Sequence, residues 1–376
     1  MKRTYLTSLA LILGLSSAAL AEDTVKIASI AELSGPGAAA GTVWADGIRL
    51  GLEEINANGG ILGMQVEMAE YDSQTDPQVS RALVQKAIDE GAFALLGTVY
   101  SSSTVVNMLV AQQNGIPQFT ASEAPSITSK GNPYIFRTTW GAQKGMPKIG
   151  AYLEDNLGVE KVAIAWANTE FGKGGHDTFV AEMEKRGIDV VADIPSEQGQ
   201  VDFAADVVKI KSSDADAIFV YLTQEEAARF LMETVKQGVD LPKVGDSVLT
   251  SEKVIQLAGD AANGARGHIA LTIASDNQLI QDFATAFTER FGYAPDYNAM
   301  KGFIGIHAIK YATEMVGEVD SEKLAEKMHG LCLDAATYPG VLVDMCWDDD
   351  GEVSRESYLV EVQNGAEVVS EILPAN

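Results

Sequence analysis

The stretch Phe93-Ala94-Leu95-Leu96-Gly97-Thr98-Val99-Tyr100-Ser101-Ser102-Ser103-Thr104 decides how this chain folds. Its first seven residues are an apolar run that reads as a buried strand. The run that follows, Val105 to Asn114, reads as an amphipathic helix. The hydroxyl cluster between them therefore sits at a strand's carboxyl end and a helix's amino end. In open α/β sheets that crevice is where ligands bind. A helix N-terminus offers free N–H groups and a partial positive charge, which suits a carboxylate or phosphate. Serine and threonine are also common helix caps. At this point two readings of Ser101 to Thr104 stand, a cap and an anion site.

Strands and helices alternate on both sides of that stretch. Val25 to Ile30 reads as a strand, followed by a helix with Ile48, Leu52 and Ile55 on one face and a stop at Asn58-Gly59-Gly60. Gln65 to Tyr71 is a second strand, and Pro77 opens a second helix. Ile116 to Thr120 is a short strand ending in a second loop, Ala121 to Pro125. Past Thr139 the alternation restarts. Strands are expected at Val162–Trp166, Ile188–Ala192, Ala217–Leu222 and 243–249, with helices at 145–157, 173–186, 202–212 and 225–237. Helices then follow at 277–291, 297–316 and 321–329. The chain ends in β-rich segments, Gly340–Trp347, Tyr358–Gln363 and Val368–Leu373, with Asp349-Asp350-Gly351 as a hairpin turn between the first two. Such alternation predicts parallel sheets covered on both faces. Two similar α/β lobes without a linker predict a cleft between them.

The 376 residues suffice for two domains. A formal net charge of −26 argues against nucleic acid or anionic lipid as a partner. Residues 1–21 read as a signal peptide: Lys2 and Arg3, an apolar stretch from Leu6 to Leu15, then Ala19-Leu20-Ala21. The mature protein is expected to be periplasmic, with no membrane-embedded segment. Cys332 and Cys346 are expected to form a disulfide in that oxidising compartment, against the alternative of two reduced, buried thiols. Neither a metal site nor a cofactor is expected. No nucleophile elbow, phosphate loop or zinc motif is present, and the four histidines are scattered, so an enzyme is not expected.

The motifs together resemble the substrate-binding proteins of branched-chain amino acid ABC importers, the leucine/isoleucine/valine-binding type. The resemblance rests on Ser34-Gly35-Pro36, on Glu54-Ile55-Asn56-Ala57-Asn58-Gly59-Gly60-Ile61, and on Tyr71-Asp72 with Asp76-Pro77. It continues through Ser101-Ser102-Ser103-Thr104, Ala124-Pro125-Ser126-Ile127-Thr128 and Phe136-Arg137-Thr138-Thr139. It implies an α/β type I periplasmic binding fold, two doubly wound parallel-sheet lobes joined by three crossovers with a ligand cleft between them. The expected lobes are 22–140 plus 273–354, and 141–272 plus 355–376, with crossovers near 139–143, 271–275 and 352–357. It implies a monomeric solute receptor that delivers an amino acid or related small carboxylate to an importer permease. The alternatives are an amide, urea-like or aromatic acid ligand, or a sensor subunit.

The resemblance also implies a site. Ser101, with Tyr100 and Ser102 beside it, would hold the ligand's carboxylate. Ala121, Ser122 and Glu123 occupy the positions that meet its ammonium. Glu123 stands where the family has threonine; turned inward, it requires a cation, and a ligand amine would serve. From the second lobe, Phe171 and Thr223 fall on family aromatics. Ser247 falls on a family acidic residue, with Asp246 one position away as a possible substitute. Ala40 falls on a further aromatic position and opens space.

Overall fold

The computed structural model describes residues 24–375; the expected signal peptide lies outside the described residues. The chain first builds β1 (Val25–Ala31), α1 (Ala38–Ala57), β2 (Val66–Asp72), α2 (Pro77–Asp89), β3 (Ala94–Leu96), α3 (Ser101–Gln113), β4 (Gln118–Thr120) and β5 (Ile135–Arg137). These strands form one parallel sheet in the order β2-β1-β3-β4-β5. There follow α4 (Ala142–Ala151), β6 (Lys161–Ala167), α5 (Glu170–Arg186), β7 (Asp189–Ser196), α6 (Ala204–Lys211), β8 (Ala217–Tyr221), α7 (Gln224–Lys236), β9 (Lys243–Gly245), α8 (Glu252–Ala258) and β10 (Ala265–Ile269). Their strands are ordered β7-β6-β8-β9-β10, the same winding repeated. Then α9 (Gln278–Phe291), α10 (Tyr297–Val316) and α11 (Ser321–Met328) precede a small antiparallel sheet of β11 (Cys332–Leu333), β12 (Met345–Trp347) and β13 (Val353–Ser354). Last, β14 (Ser357–Gln363) and β15 (Ala366–Leu373) add antiparallel to the free edge of β10.

Local chemistry sets the element ends. Asp76 accepts from the amides of Gln78 and Val79, and Pro77 takes the first helical position of α2. The inward face of α1 carries Trp44, Ile48 and Ile55, all buried. Its Gly47 lets α10 approach closely, because a Cβ there would lie 2.0 Å from the Ala299 carbonyl oxygen. That contact explains why the chain returns, after the second sheet, to cover the first. α10 is buried on nearly every face, as a helix apolar all round should be.

Three sequence expectations change. The strand expected at Phe93–Val99 pairs only from Ala94 to Leu96. Gly97 ends it at φ +117, in a spot where a Cβ would meet the Ile30 carbonyl oxygen. The Asp349-Asp350-Gly351 turn joins β12 to β13; Tyr358–Gln363 belongs to the other sheet. The stretch 265–269, with its Arg and His, pairs as β10 despite its weak apolar pattern. Cys332 and Cys346 face each other across the β11–β12 ladder with sulfur atoms 2.04 Å apart.

The chain passes between the two large sheets after β5, after β10 and after β13. One buried ion pair ties the first and third passages together. Arg137 Nε donates to Glu352 Oε2 at 2.9 Å, and both side chains are out of solvent. Glu352 also accepts from Gly141 N at 2.7 Å, Gln143 Nε2 at 2.6 Å and Thr128 Oγ1 at 3.1 Å. Arg137 in turn donates to the carbonyls of Ser122 and Ala124. Removing one member of such a pair strands the other charge in the interior, so Glu352→Leu is expected to cost about 3–5 kcal/mol. Chemical denaturation measures this; Glu352→Leu paired with Arg137→Met should recover part of the loss.

Candidate functional site

Both sheets have the winding whose ligand crevice lies where strand order reverses, outside the strand carboxyl ends. For the first sheet that point is between β1 and β3; for the second it is between β6 and β8. The segments leaving β3, β6 and β8 meet in one cavity of about 560 Å³, its mouth included. Tyr100, Ser101 and Ser102 line it from the first sheet, and Thr169, Phe171, Thr223 and Gln224 from the second. Tyr297, Asn298 and Lys301, at the start of α10, add a third wall.

Five helices thus begin at the cavity, α1 among them through Ala40 in its first turn. Each brings the positive end of its dipole and first-turn amides without a carbonyl one turn back. Two are capped internally: Thr169 accepts from Gly172 N, and Asp296 accepts from Asn298 N and Ala299 N. The other three, α1, α3 and α7, have no side-chain cap. The first two belong to the first sheet and α7 to the second. The cap reading therefore does not hold for Ser101, whose hydroxyl does not cap its helix. Ser101 Oγ instead accepts from Ala124 N at 3.2 Å, which leaves its hydroxyl hydrogen to donate. Thr104 turns inward to bond the hydroxyls of Thr98, Thr120 and Ser122.

A carboxylate lies just below. Glu32, fully buried, accepts from the amides of Val99 and Tyr100 at 3.2 Å each. Burial pushes its carboxyl up to about 7, against the amide hydrogen bonds, which pull it down.

Glu123 does point into the cavity, but its cation comes from the chain. Lys301 Nζ donates to Glu123 Oε1 at 2.6 Å, with the lysine side chain buried and its ammonium 4.5 Å from the Tyr297 ring centre. The inward Glu123 thus has the cation it requires from Lys301, and does not by itself call for a ligand amine. The signal in the sequence is a lysine close to the start of the largely apolar helix 297–316, which carries one other, Lys310.

The cavity brings together Tyr100, Ser101, Ser102, Ala121, Glu123, Phe171 and Thr223, and Ala40 lies in its wall. Phe171 is stacked on Tyr221 at 4.2 Å, so its ring is held from behind. Ser122, Asp246 and Ser247 are not in the wall. The Ser122 hydroxyl points into the sheet, donating to the carbonyls of Thr98 and Val99. Val248 takes the place expected of Asp246 or Ser247. Asp246 is buried behind it, with one oxygen accepting from Val248 N at 2.9 Å and the other without a hydrogen-bond partner among the described residues. Gln224, Asn298 and Lys301 were not anticipated from the sequence.

Burial, and then the charge of Glu123, push Asp246 up to about 8. An unfolded aspartate titrates near 4. Between those limits the folded protein holds a proton that the unfolded chain has lost, so this group's stabilisation is fully present below about pH 4 and lost as pH rises through about 8. Thermal melts from pH 4 to 8 should show Asp246→Asn losing less stability with rising pH than the native chain.

Among the described residues no His, Cys, Asp and Glu cluster could hold a metal ion, and no helix is long and apolar enough to cross a membrane. A family model described as periplasmic binding protein matches residues 24–367. The chain is 26% identical over 352 residues to a leucine-, isoleucine-, valine-, threonine- and alanine-binding protein of Pseudomonas aeruginosa, covering 93% of this chain and 92% of that one. It is 27% identical over 253 residues to a Leu/Ile/Val-binding protein of Escherichia coli, covering 67% and 69%. In structure it resembles an isoleucine complex of a branched-chain amino acid transporter substrate-binding protein from Streptococcus pneumoniae, with TM-score 0.84, 24% identity, and 94% and 100% of the two chains covered. It also resembles a solute-binding protein of Rhodopseudomonas palustris in complex with 3,4-dihydroxybenzoic acid, with TM-score 0.86, 22% identity, and 94% and 98% covered.

Proposed function

The chain belongs to the periplasmic binding protein family, and from that premise we propose that it is the solute receptor of an ABC importer whose ligand is an α-amino acid. The observation that carries this is the meeting of two helix starts without side-chain caps, α3 and α7, one from each sheet, at a single cavity. A carboxylate placed there accepts from the Ser101 hydroxyl and from first-turn amides, and both dipoles favour it. Glu123 faces the same space. Its second oxygen is left to accept from an ammonium while the first holds Lys301. A zwitterion adds no net charge to this pair, which keeps the cost of burying it low.

The same geometry supplies the mechanism of capture. Contacts to α3 and to α7 are made together only when the lobes are closed, so the ligand stabilises the closed state by its differential affinity for it. Closed lobes are supported by Ser126 Oγ donating to Glu170 across the cleft at 2.6 Å. Docking of that closed form on a permease, as a monomer exported by the segment at 1–21, completes the reading. A second reading is favoured by Lys301. Its ammonium in the wall would also suit a carboxylic acid without an amine, such as an aromatic acid.

Calorimetric titration with L-amino acids, aromatic acids and amides separates these. The amino-acid reading expects L-amino acids to bind and their deaminated analogues to bind far more weakly. Ser101→Ala should weaken the tightest ligand about tenfold or more, the value of a hydrogen bond to a charged group. Unchanged affinity in that variant removes Ser101 from the site.

A further inference from the structure

Two groups in the cavity wall are buried and bonded to nothing among the described residues. They are Nε2 of Gln224 and Oδ1 of Asn298, on side chains 5% and 0% exposed. Their origins differ: Gln224 is the first residue of α7, on the second sheet, and Asn298 lies in the first turn of α10, packed on the first. The orientation of Asn298 is fixed by its neighbour. Its Nδ2 lies 3.5 Å from the Asp296 carboxylate, which can only accept, so its carbonyl oxygen faces the other way. Two side chains of the cavity wall therefore carry an unused donor and an unused acceptor, both neutral.

Buried polar groups in folded proteins find partners, and leaving them without one is costly. A ligand with an aliphatic side chain, closed in this cavity, would leave both groups without a partner. A ligand side chain that donates and accepts would satisfy both. A charged side chain is less suited, because the nearest opposite charges, Glu123 and Lys301, already neutralise each other.

We propose that the ligand's side chain is polar and uncharged, carrying a hydroxyl or carboxamide that pairs with Gln224 and Asn298. This rests on the amino-acid reading above and assigns its specificity to two residues outside the carboxylate contacts. A site built to hydrogen-bond a ligand group rejects the analogue that lacks it more strongly than an apolar pocket rejects a change of size.

Near-isosteric pairs test this. Calorimetry compares L-threonine with L-valine and L-asparagine with L-leucine on the full mature chain. At least one polar member is expected to bind tenfold or more tightly than its apolar partner. Gln224→Leu and Asn298→Leu should each bring that ratio to threefold or less by weakening the polar ligand, while valine and leucine bind no more weakly than before. Asn298→Ser, with a smaller polar group, should retain part of the preference. An unchanged melting temperature checks that each variant is folded. Equal or tighter binding of valine and leucine to the native protein overturns the polar side chain and leaves the amino-acid reading standing. Failure of all four to bind overturns both.

Discussion

The buried pair of Arg137 and Glu352 is the constraint on which the rest of the structure depends. Arg137 ends β5, and Glu352 lies in the turn that enters β13, immediately before the chain's last passage between the sheets. Isolated, either charge would be intolerable at that depth. Paired, each satisfies its remaining hydrogen-bond capacity with backbone that must be held. Glu352 fixes the amide of Gly141, where the chain leaves the first sheet. Arg137 fixes the carbonyls of Ser122 and Ala124, the residues on either side of Glu123. A single interaction thus sets the hinge and aims the loop that faces the ligand cavity. A buried pair of this kind adds little net stability over an apolar substitute. Its contribution here is position.

The second organising feature is electrostatic and local. The protein carries a formal charge of −26, yet its cavity is built from five helix starts and one lysine, with Glu123 as the acid in the wall. Global charge keeps the chain dispersed and says nothing about the ligand. Oriented amides decide that. Glu32 occupies the Val99 and Tyr100 amides beneath the cavity, so the open positions are those of the next residues, Ser101 and Ser102. The division between occupied and open donors places an incoming carboxylate against α3 rather than under it.

Much of this was legible in the sequence. The alternating strands and helices, the restart after Thr139 and the serine stretch at a strand-to-helix junction are local patterns, and the fold follows from them. Seven of the ten expected site residues line the cavity because they lie directly after β3, β4, β6 or β8, where the topology forces convergence. What was not legible depends on contacts between distant segments. Lys301 is 178 positions from Glu123, and only packing α10 against the first sheet brings them together. Asn298 arrives by the same helix. Ser122 turned inward because the hydroxyls of Thr98, Thr104 and Thr120 form a buried network that it completes. The short β10 lacks an apolar pattern of its own and is a strand because β9 and β14 flank it.

In the proposed binding mode a ligand carboxylate is shared between the starts of α3 and α7. A crystal structure of the protein with its tightest-binding amino acid measures this directly. The predicted result is a carboxylate within hydrogen-bond distance of the Ser101 hydroxyl and of first-turn amides from both α3 and α7, with the Glu123–Lys301 pair intact. A carboxylate bound to Lys301 instead, with Glu123 displaced and the start of α3 in contact with water alone, would contradict it.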